Sequence, residues 1–302
     1  MQLRRCFEIG RRNSKLGLAI NYCSYMVSAC WRLLWMRKDF DVVYAYSTSP
    51  VLMSLPASLL RCFCKIPLLI DVLDIWPACL AAMNIPENSA FYRLMTRVSR
   101  WVYRKADRLA YSSYLFRGYL ADVHDIAVAQ EDYLPQFADA MFERKLPWPQ
   151  KETVDLLFAG NIGRMQNVQV ILQAAALLRD VPHLRWHIVG DGSDEVACRA
   201  LADELQLENV VTFHGRHAVE EMPGYYANAD ALLVTMRHDI TELTLPGKVQ
   251  SYMAAGRPVI GSIGGETPLV LAQANCGLCA EPENPAALAD VVRRFLQGNR
   301  QR

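Results

Sequence analysis

A chain of 302 residues exceeds what one hydrophobic core requires and has room for two domains of ordinary size. With 52% hydrophobic and 21% charged residues it is not a disordered chain, and 32 Lys and Arg against 31 Asp and Glu give no global charge to recruit nucleic acid. The halves nevertheless differ. Residues 1–150 carry 19 basic and 13 acidic side chains, whereas residues 151–302 carry 13 and 18. Thirteen of the 16 glycines lie in the second half, so loops that bring backbone close to a ligand are expected there. Nine cysteines, odd in number and irregular in spacing, read as reduced thiols of a cytoplasmic protein. The lone pair Cys276-Gly-Leu-Cys279 reads as buried packing, and no signal peptide fits the start.

The first uncharged run, Leu16–Trp31, is too short to span a bilayer and reads as a helix. Its end, Trp31–Lys38, combines aromatic and basic residues; an interfacial helix and a buried helix with a charged tip account for this equally well. Strands follow at Asp41–Tyr46, Pro67–Asp74 and Arg108–Ser112. Between them the pattern predicts helices over 51–64 and 89–106, the latter with Tyr92, Met95, Val98 and Val102 on one face. Buried strands alternating with helices predict a parallel sheet. Residues 130–151, with Pro135, Pro147 and Pro149, break the rhythm and predict a linker. The alternation then restarts. Strands are predicted at Val154–Phe158, Leu184–Val189, Val210–Phe213, Ala231–Thr235 and Val259–Ile260. Helices are predicted over 166–179, 194–206 and 247–255, the last stopped by Gly256-Arg257-Pro258.

Ligands of open parallel sheets bind beyond the carboxyl ends of the strands. Five such loops in the second half carry glycine: 159–167, 190–193, 214–217, 241–248 and 261–266. Leu245-Pro-Gly-Lys248 runs directly into a helix, so free N–H groups, the helix dipole and an ammonium converge on a site of diphosphate size. Asn161 and Arg164 sit on the loop after the first strand of that half, where an arginine can hold the same phosphates; a capping or surface arginine and a solvated lysine account for these residue types equally well.

The runs Phe158-Ala-Gly-Asn-Ile-Gly-Arg164, Trp186-His-Ile-Val-Gly-Asp-Gly192, Val211-Thr-Phe-His-Gly-Arg216 and Leu245–Ile260 resemble the nucleotide-sugar domain of retaining GT-B glycosyltransferases of family 4. In the first half, Asp71-Val-Leu-Asp-Ile-Trp-Pro77, Tyr103-Arg-Lys-Ala-Asp107 and Tyr133–Ala138 resemble the branch that builds capsular, exopolysaccharide or O-antigen units. The resemblance implies an α/β protein of GT-B fold with two Rossmann-like parallel-sheet domains. These are an acceptor-side domain over 1–138, a linker over 139–151 and a nucleotide-sugar domain over 152–302.

It also implies roles. Gly247, Lys248 and Val249 would present backbone amides and an ammonium to the donor diphosphate, with Arg164 assisting beside Asn161 and Gly163. Gly190, Asp191 and Gly192 would line the nucleotide pocket, with Gly215 and Arg216 against the base. Where the family often has two glutamates with seven residues between them, this chain has Leu243 and Ser251, so Ser251, Glu242 or Gln250 is expected to meet the ribose. A histidine that many members place in the first domain corresponds to Leu73 here, while Asp74 is retained and either faces the cleft or caps a helix before Ile75-Trp76-Pro77.

The implied partners are a nucleoside diphosphate sugar, a UDP-sugar first among them, and a lipid-linked glycan acceptor. No cofactor, metal or nucleic acid is expected. The implied location is cytoplasmic and peripheral on the inner face of the plasma membrane, with the basic first half against anionic lipid. Family members begin several strands earlier, so the first domain is expected to be incomplete and transfer by this chain weak. A non-catalytic nucleotide-sugar-binding subunit and a GT-B nucleotide-sugar epimerase are the alternatives.

Overall fold

The computed structural model describes residues 3–10, 15–36, 40–83, 85–143, 148, 151–238 and 243–299. Pro147, Pro149, the basic residues Arg11, Arg12, Arg37 and Lys38, and the candidate ribose contact Glu242 lie outside these. The chain divides into two compact units, Met1–Pro135 and Gln136–Arg302.

The first unit begins with helix α1 (Lys15–Met36), which outlasts the predicted run because its polar residues are spent on the preceding segment. Asn21 Nδ2 donates to Ile9 O at 2.6 Å, Ser28 Oγ to Phe7 O at 2.6 Å and Arg32 Nη1 to Arg5 O at 2.9 Å. Strands β1 (Val43–Ser47), β2 (Leu68–Val72) and β3 (Arg108–Tyr111) pair parallel in that order. Helices α2 (Leu55–Cys64) and α3 (Ala90–Tyr103) make the crossovers. Ser89 caps α3 by accepting from Tyr92 N, and the helix buries Tyr92, Met95 and Val102 as its spacing predicts. Asp107, just before β3, accepts from Arg61 Nε at 2.6 Å and Leu68 N at 2.8 Å, tying α2 to the start of β2. Those hydrogen bonds, the Arg61 contact foremost, hold its carboxyl below the usual range.

Helix α4 (Tyr114–His124), which the hydrophobic pattern did not announce, closes this unit. Its last residue, His124, is fully buried, donates from Nε2 to Trp76 O at 2.7 Å and meets Tyr103 edge-on at 5.2 Å. Burial, reinforced by Arg100 and Arg104, outweighs the Trp76 contact and pushes the imidazole down to about 4. Between the ordinary histidine pKa and that value the unfolded chain binds the extra proton, so stability falls as pH falls. Acidification from pH 7 to 4 is expected to cost the first unit about 3 kcal/mol through this group. His124→Gln should flatten the dependence in urea titrations at the two pH values, whatever its own baseline cost.

The second unit is a six-stranded parallel sheet in the order β6-β5-β4-β7-β8-β9. Its strands are β4 (Val154–Ala159), β5 (Leu184–Val189), β6 (Val211–Gly215), β7 (Ala231–Thr235), β8 (Val259–Ser262) and β9 (Gly277–Ala280). Helices α5 (Gln169–Leu177), α6 (Glu195–Glu204), α7 (Met222–Asn228), α8 (Gly247–Ala254), α9 (Thr267–Gln273) and α10 (Pro285–Asn299) complete it. Both faces of the sheet are covered: Leu156 and Phe158 belong to one core cluster, Leu157 and Ala159 to the other.

Three local predictions change. The helix expected from 166 starts at Gln169, because Asn167 takes a left-handed conformation (φ 45°) after a 3-10 turn over Arg164–Gln166. The Cys276–Cys279 segment runs into the edge strand β9 (Gly277–Ala280), which the pattern did not predict; both thiols are free and half-buried, packed against the core. Within the segment expected to be a linker, the turn Ala140–Phe142 packs Phe142 into the second unit's core, ring-stacked on Tyr226 at 5.3 Å. Among the described residues no helix is long and apolar enough to cross a membrane.

Candidate nucleotide-sugar site

The loops after β4, β5 and β6 are laced together by their backbones. Gly160 N donates to Val189 O at 2.9 Å, Gly190 N to Gly215 O at 2.7 Å and Ile162 N to Asp191 O at 2.7 Å; Asp194 N returns to Ile162 O at 2.9 Å. This approach requires glycine. A Cβ on Gly190, which sits at φ +132°, would lie 1.9 Å from Gly160 O, and one on Gly192 would lie 2.4 Å from Ile162 O. Gly163 is crowded in the same way by the amides of Asn161 and Gln166, which bond each other at 2.9 Å. Asp191 and Arg216 face each other at 3.6 Å, both exposed, at the outer end of this wall.

Helix α8 begins beside that wall. Pro246 is its N-cap and supplies no side-chain hydrogen bond, so the N–H groups of the first turn stay open to a ligand, apart from Val249 N, which donates to Pro246 O at 3.0 Å. The Val249 side chain is fully buried in the core. Tyr252, one turn on from Lys248, anchors the helix: its hydroxyl accepts from Ala159 N at 3.2 Å and donates to Ala159 O at 3.1 Å. The end of β4 and the start of α8 are thereby held as one body.

Between them lies the Lys248 side chain. Its stem is partly exposed, but the ammonium nitrogen is buried, 4.1 Å from the centre of the Phe158 ring, with no hydrogen-bond partner among the described residues. A Cβ on Gly160 would stand 2.9 Å from that nitrogen, so the glycine makes the space the ammonium occupies. Burial pulls the Lys248 pKa down to about 8. An unpaired buried cation is expensive, and a bound anion at this point would remove the expense.

The remaining sequence-predicted residues are placed as follows. Arg164 is exposed on the turn after β4, without an ion pair among the described residues. Gly247 begins α8, where a Cβ would meet Gln136 Oε1 at 2.9 Å. In the orientation that satisfies both its oxygen and its nitrogen, the Gln250 amide donates to Pro246 O at 2.9 Å and Gly247 O at 3.0 Å, so it is engaged with its own helix start. Ser251 is half-buried in the second turn of α8. Asp74 belongs to the first unit, where its carboxylate accepts from Ser49 N at 3.0 Å and burial raises its pKa; the neighbouring Leu73 is buried. Sequence reasoning passed over Gly160, Phe158 and Tyr252 as site residues. The signal available was that Tyr252 follows Lys248 by four residues and shares its helix face. Among the described residues no group of three or more His, Cys, Asp or Glu converges as a metal cage.

The chain is similar over 97% of its length to the probable glycosyltransferase WbjE of Pseudomonas aeruginosa, with 26% identity across 76% of that protein. It is 29% identical over 47% of its length to the putative colanic acid biosynthesis glycosyl transferase WcaI of Escherichia coli, of which it spans only 35%. Among solved structures, Anabaena HepE in complex with UDP superposes with a TM-score of 0.69 at 15% identity, covering 91% of this chain and 74% of that one. The architecture of two parallel α/β units is therefore the GT-B fold. Residues 153–298, the second unit from β4 into α10, match the family of glycosyl transferases group 1.

Proposed function

We propose that this chain is a retaining glycosyltransferase that moves a hexose or amino-hexose from a UDP-sugar to a lipid-linked glycan during bacterial surface polysaccharide synthesis, at the inner face of the plasma membrane. The observation that carries this reading is the Lys248 ammonium, buried and without a hydrogen-bond partner at the open N-terminus of α8. The β-phosphate of the donor is the anion it awaits. When the bond between the sugar and that phosphate breaks, negative charge grows on the phosphate oxygens. Lys248, the first N–H groups of α8 and Arg164 oppose it, as an oxyanion hole does. The glycine wall of 160, 190 and 192 lets the nucleotide lie close to backbone, with Gly215 and Arg216 toward the base. The UDP bound by HepE supports the donor, the name of WbjE the reaction, and that of WcaI, a putative colanic acid biosynthesis glycosyl transferase, the product class.

The test is turnover of UDP-glucose with and without a lipid extract carrying membrane-linked glycans. Release of UDP and of a glycosylated lipid only when the extract is present is the expected result. Conversion of the sugar nucleotide without acceptor would make the protein an epimerase, and UDP binding without turnover in any extract would make it a binding subunit; either outcome overturns the proposal.

A further inference from the structure

The outer face of α3 has no part in the donor site. Its buried side packs on the first unit's core, but the exposed side is neither apolar nor evenly charged. Arg93, Arg97, Arg100 and Arg104 recur at helical spacing along it, followed by Lys105, and the helix contains no acidic residue. Set among the arginines are Phe91, Leu94 and Trp101, exposed at 50%, 53% and 38%. Neutralisation within the protein is slight. Arg104 meets Asp125 at 2.7 Å, with both side chains largely exposed, and Arg100 donates to the carbonyl of Val123. Arg93 and Arg97 make no ion pair among the described residues. Arg97, Arg100, Arg104 and Lys105 line a shallow groove of about 280 Å³ with Trp101, whose ring lies 5.6 Å below the Lys105 ammonium.

We propose that this face is a docking surface for an anionic lipid bilayer, with α3 lying flat on it. A helix of 14 residues is about 21 Å long, so cations distributed along it reach several headgroup phosphates at once. Phe91, Leu94 and Trp101 enter the boundary between headgroups and acyl chains, a phase that gains from large apolar and aromatic side chains interleaved with arginine. A soluble polyanion would satisfy the arginines and leave Phe91 and Leu94 in water, which decides between the two. The inference rests on the proposed function only in that a lipid-linked acceptor brings the enzyme to a membrane. The surface belongs to the first unit alone, and its failure would leave the donor site untouched.

Flotation of the full chain with vesicles of phosphatidylcholine alone, or with one third phosphatidylglycerol, tests it. Binding is expected only to the anionic vesicles and is expected to be lost at high salt. The double variant Arg93→Glu, Arg97→Glu should partition more weakly by roughly thirtyfold or more. UDP affinity measured in parallel should be unchanged, which certifies the fold and separates this result from any failure of the donor site. Helix α1 presents the rival contact, since Trp31 and Trp35 are exposed at 65% and 78%. Binding that survives the arginine variant but disappears in Trp31→Ala, Trp35→Ala would overturn the proposal, as would binding indifferent to vesicle charge or no binding at all.

Discussion

Lys248→Met is expected to make the ligand-free protein more stable while stripping it of UDP binding. The lysine pKa is pulled to about 8 by burial, so at neutral pH the folded protein holds a charge that the unfolded chain would rather hydrate. The unfolded chain keeps the proton up to the ordinary lysine pKa, whereas the folded one releases it near pH 8. Stability from this group therefore rises between those values and is lowest below them. At pH 7 the penalty is up to about 3 kcal/mol, which a methionine of similar length over the Phe158 ring would abolish. UDP affinity should fall by at least 1.5–3 kcal/mol, the range for a charge-assisted hydrogen bond. Thermal unfolding and titration calorimetry on the same sample check both halves. A gain of stability with loss of binding is the mark of a residue kept for its ligand; loss of both would make Lys248 a structural residue.

Gly190→Ala is expected to damage the protein rather than merely the site. The methyl would stand 1.9 Å from Gly160 O, a backbone atom that cannot rotate away, at a φ of +132° that L-residues rarely adopt. Since Gly190 N also donates to Gly215 O, displacing this residue loosens three strand ends together. A destabilisation of about 3–5 kcal/mol follows from strain plus the lost hydrogen bonds. Gly224→Ala is the control, because a Cβ there meets nothing within 4 Å. If the two variants melt alike, the close approach of the β4 and β5 loops is not what holds the site in shape.

The strand run of both units was legible because buried parallel strands are short apolar segments between turn signals, and Leu156–Ala159 and Ala231–Val234 are almost purely so. β9 escaped because Gly277–Ala280 is a half-exposed edge, glycine-led and without a β-branched residue, and such a segment has no periodicity to read. The late start of α5 turns on a single left-handed asparagine. In the site, the phosphate-facing residues were legible as a local string, Pro246-Gly247-Lys248 before a helix. What makes them a site is not local. The burial of the Lys248 ammonium depends on Phe158 and Gly160, some ninety residues earlier, and the helix is fixed by Tyr252 on the backbone of Ala159. Gln250 shows the converse: as a residue type it suits a ribose, but its neighbours supply carbonyls at hydrogen-bond distance, and the structure uses those.

The central claim is that the Lys248 ammonium receives the donor diphosphate. The measurement closest to it is the proton uptake that accompanies UDP binding at pH 8.5, obtained by calorimetry in buffers of different ionisation enthalpy. With a free-state pKa of about 8, most Lys248 side chains are neutral at that pH, and a bound phosphate should restore the charge. An uptake of about three quarters of a proton per UDP is predicted. UDP that binds with no proton uptake and with the same affinity in Lys248→Met would contradict the account, because the anion would then be held without this lysine.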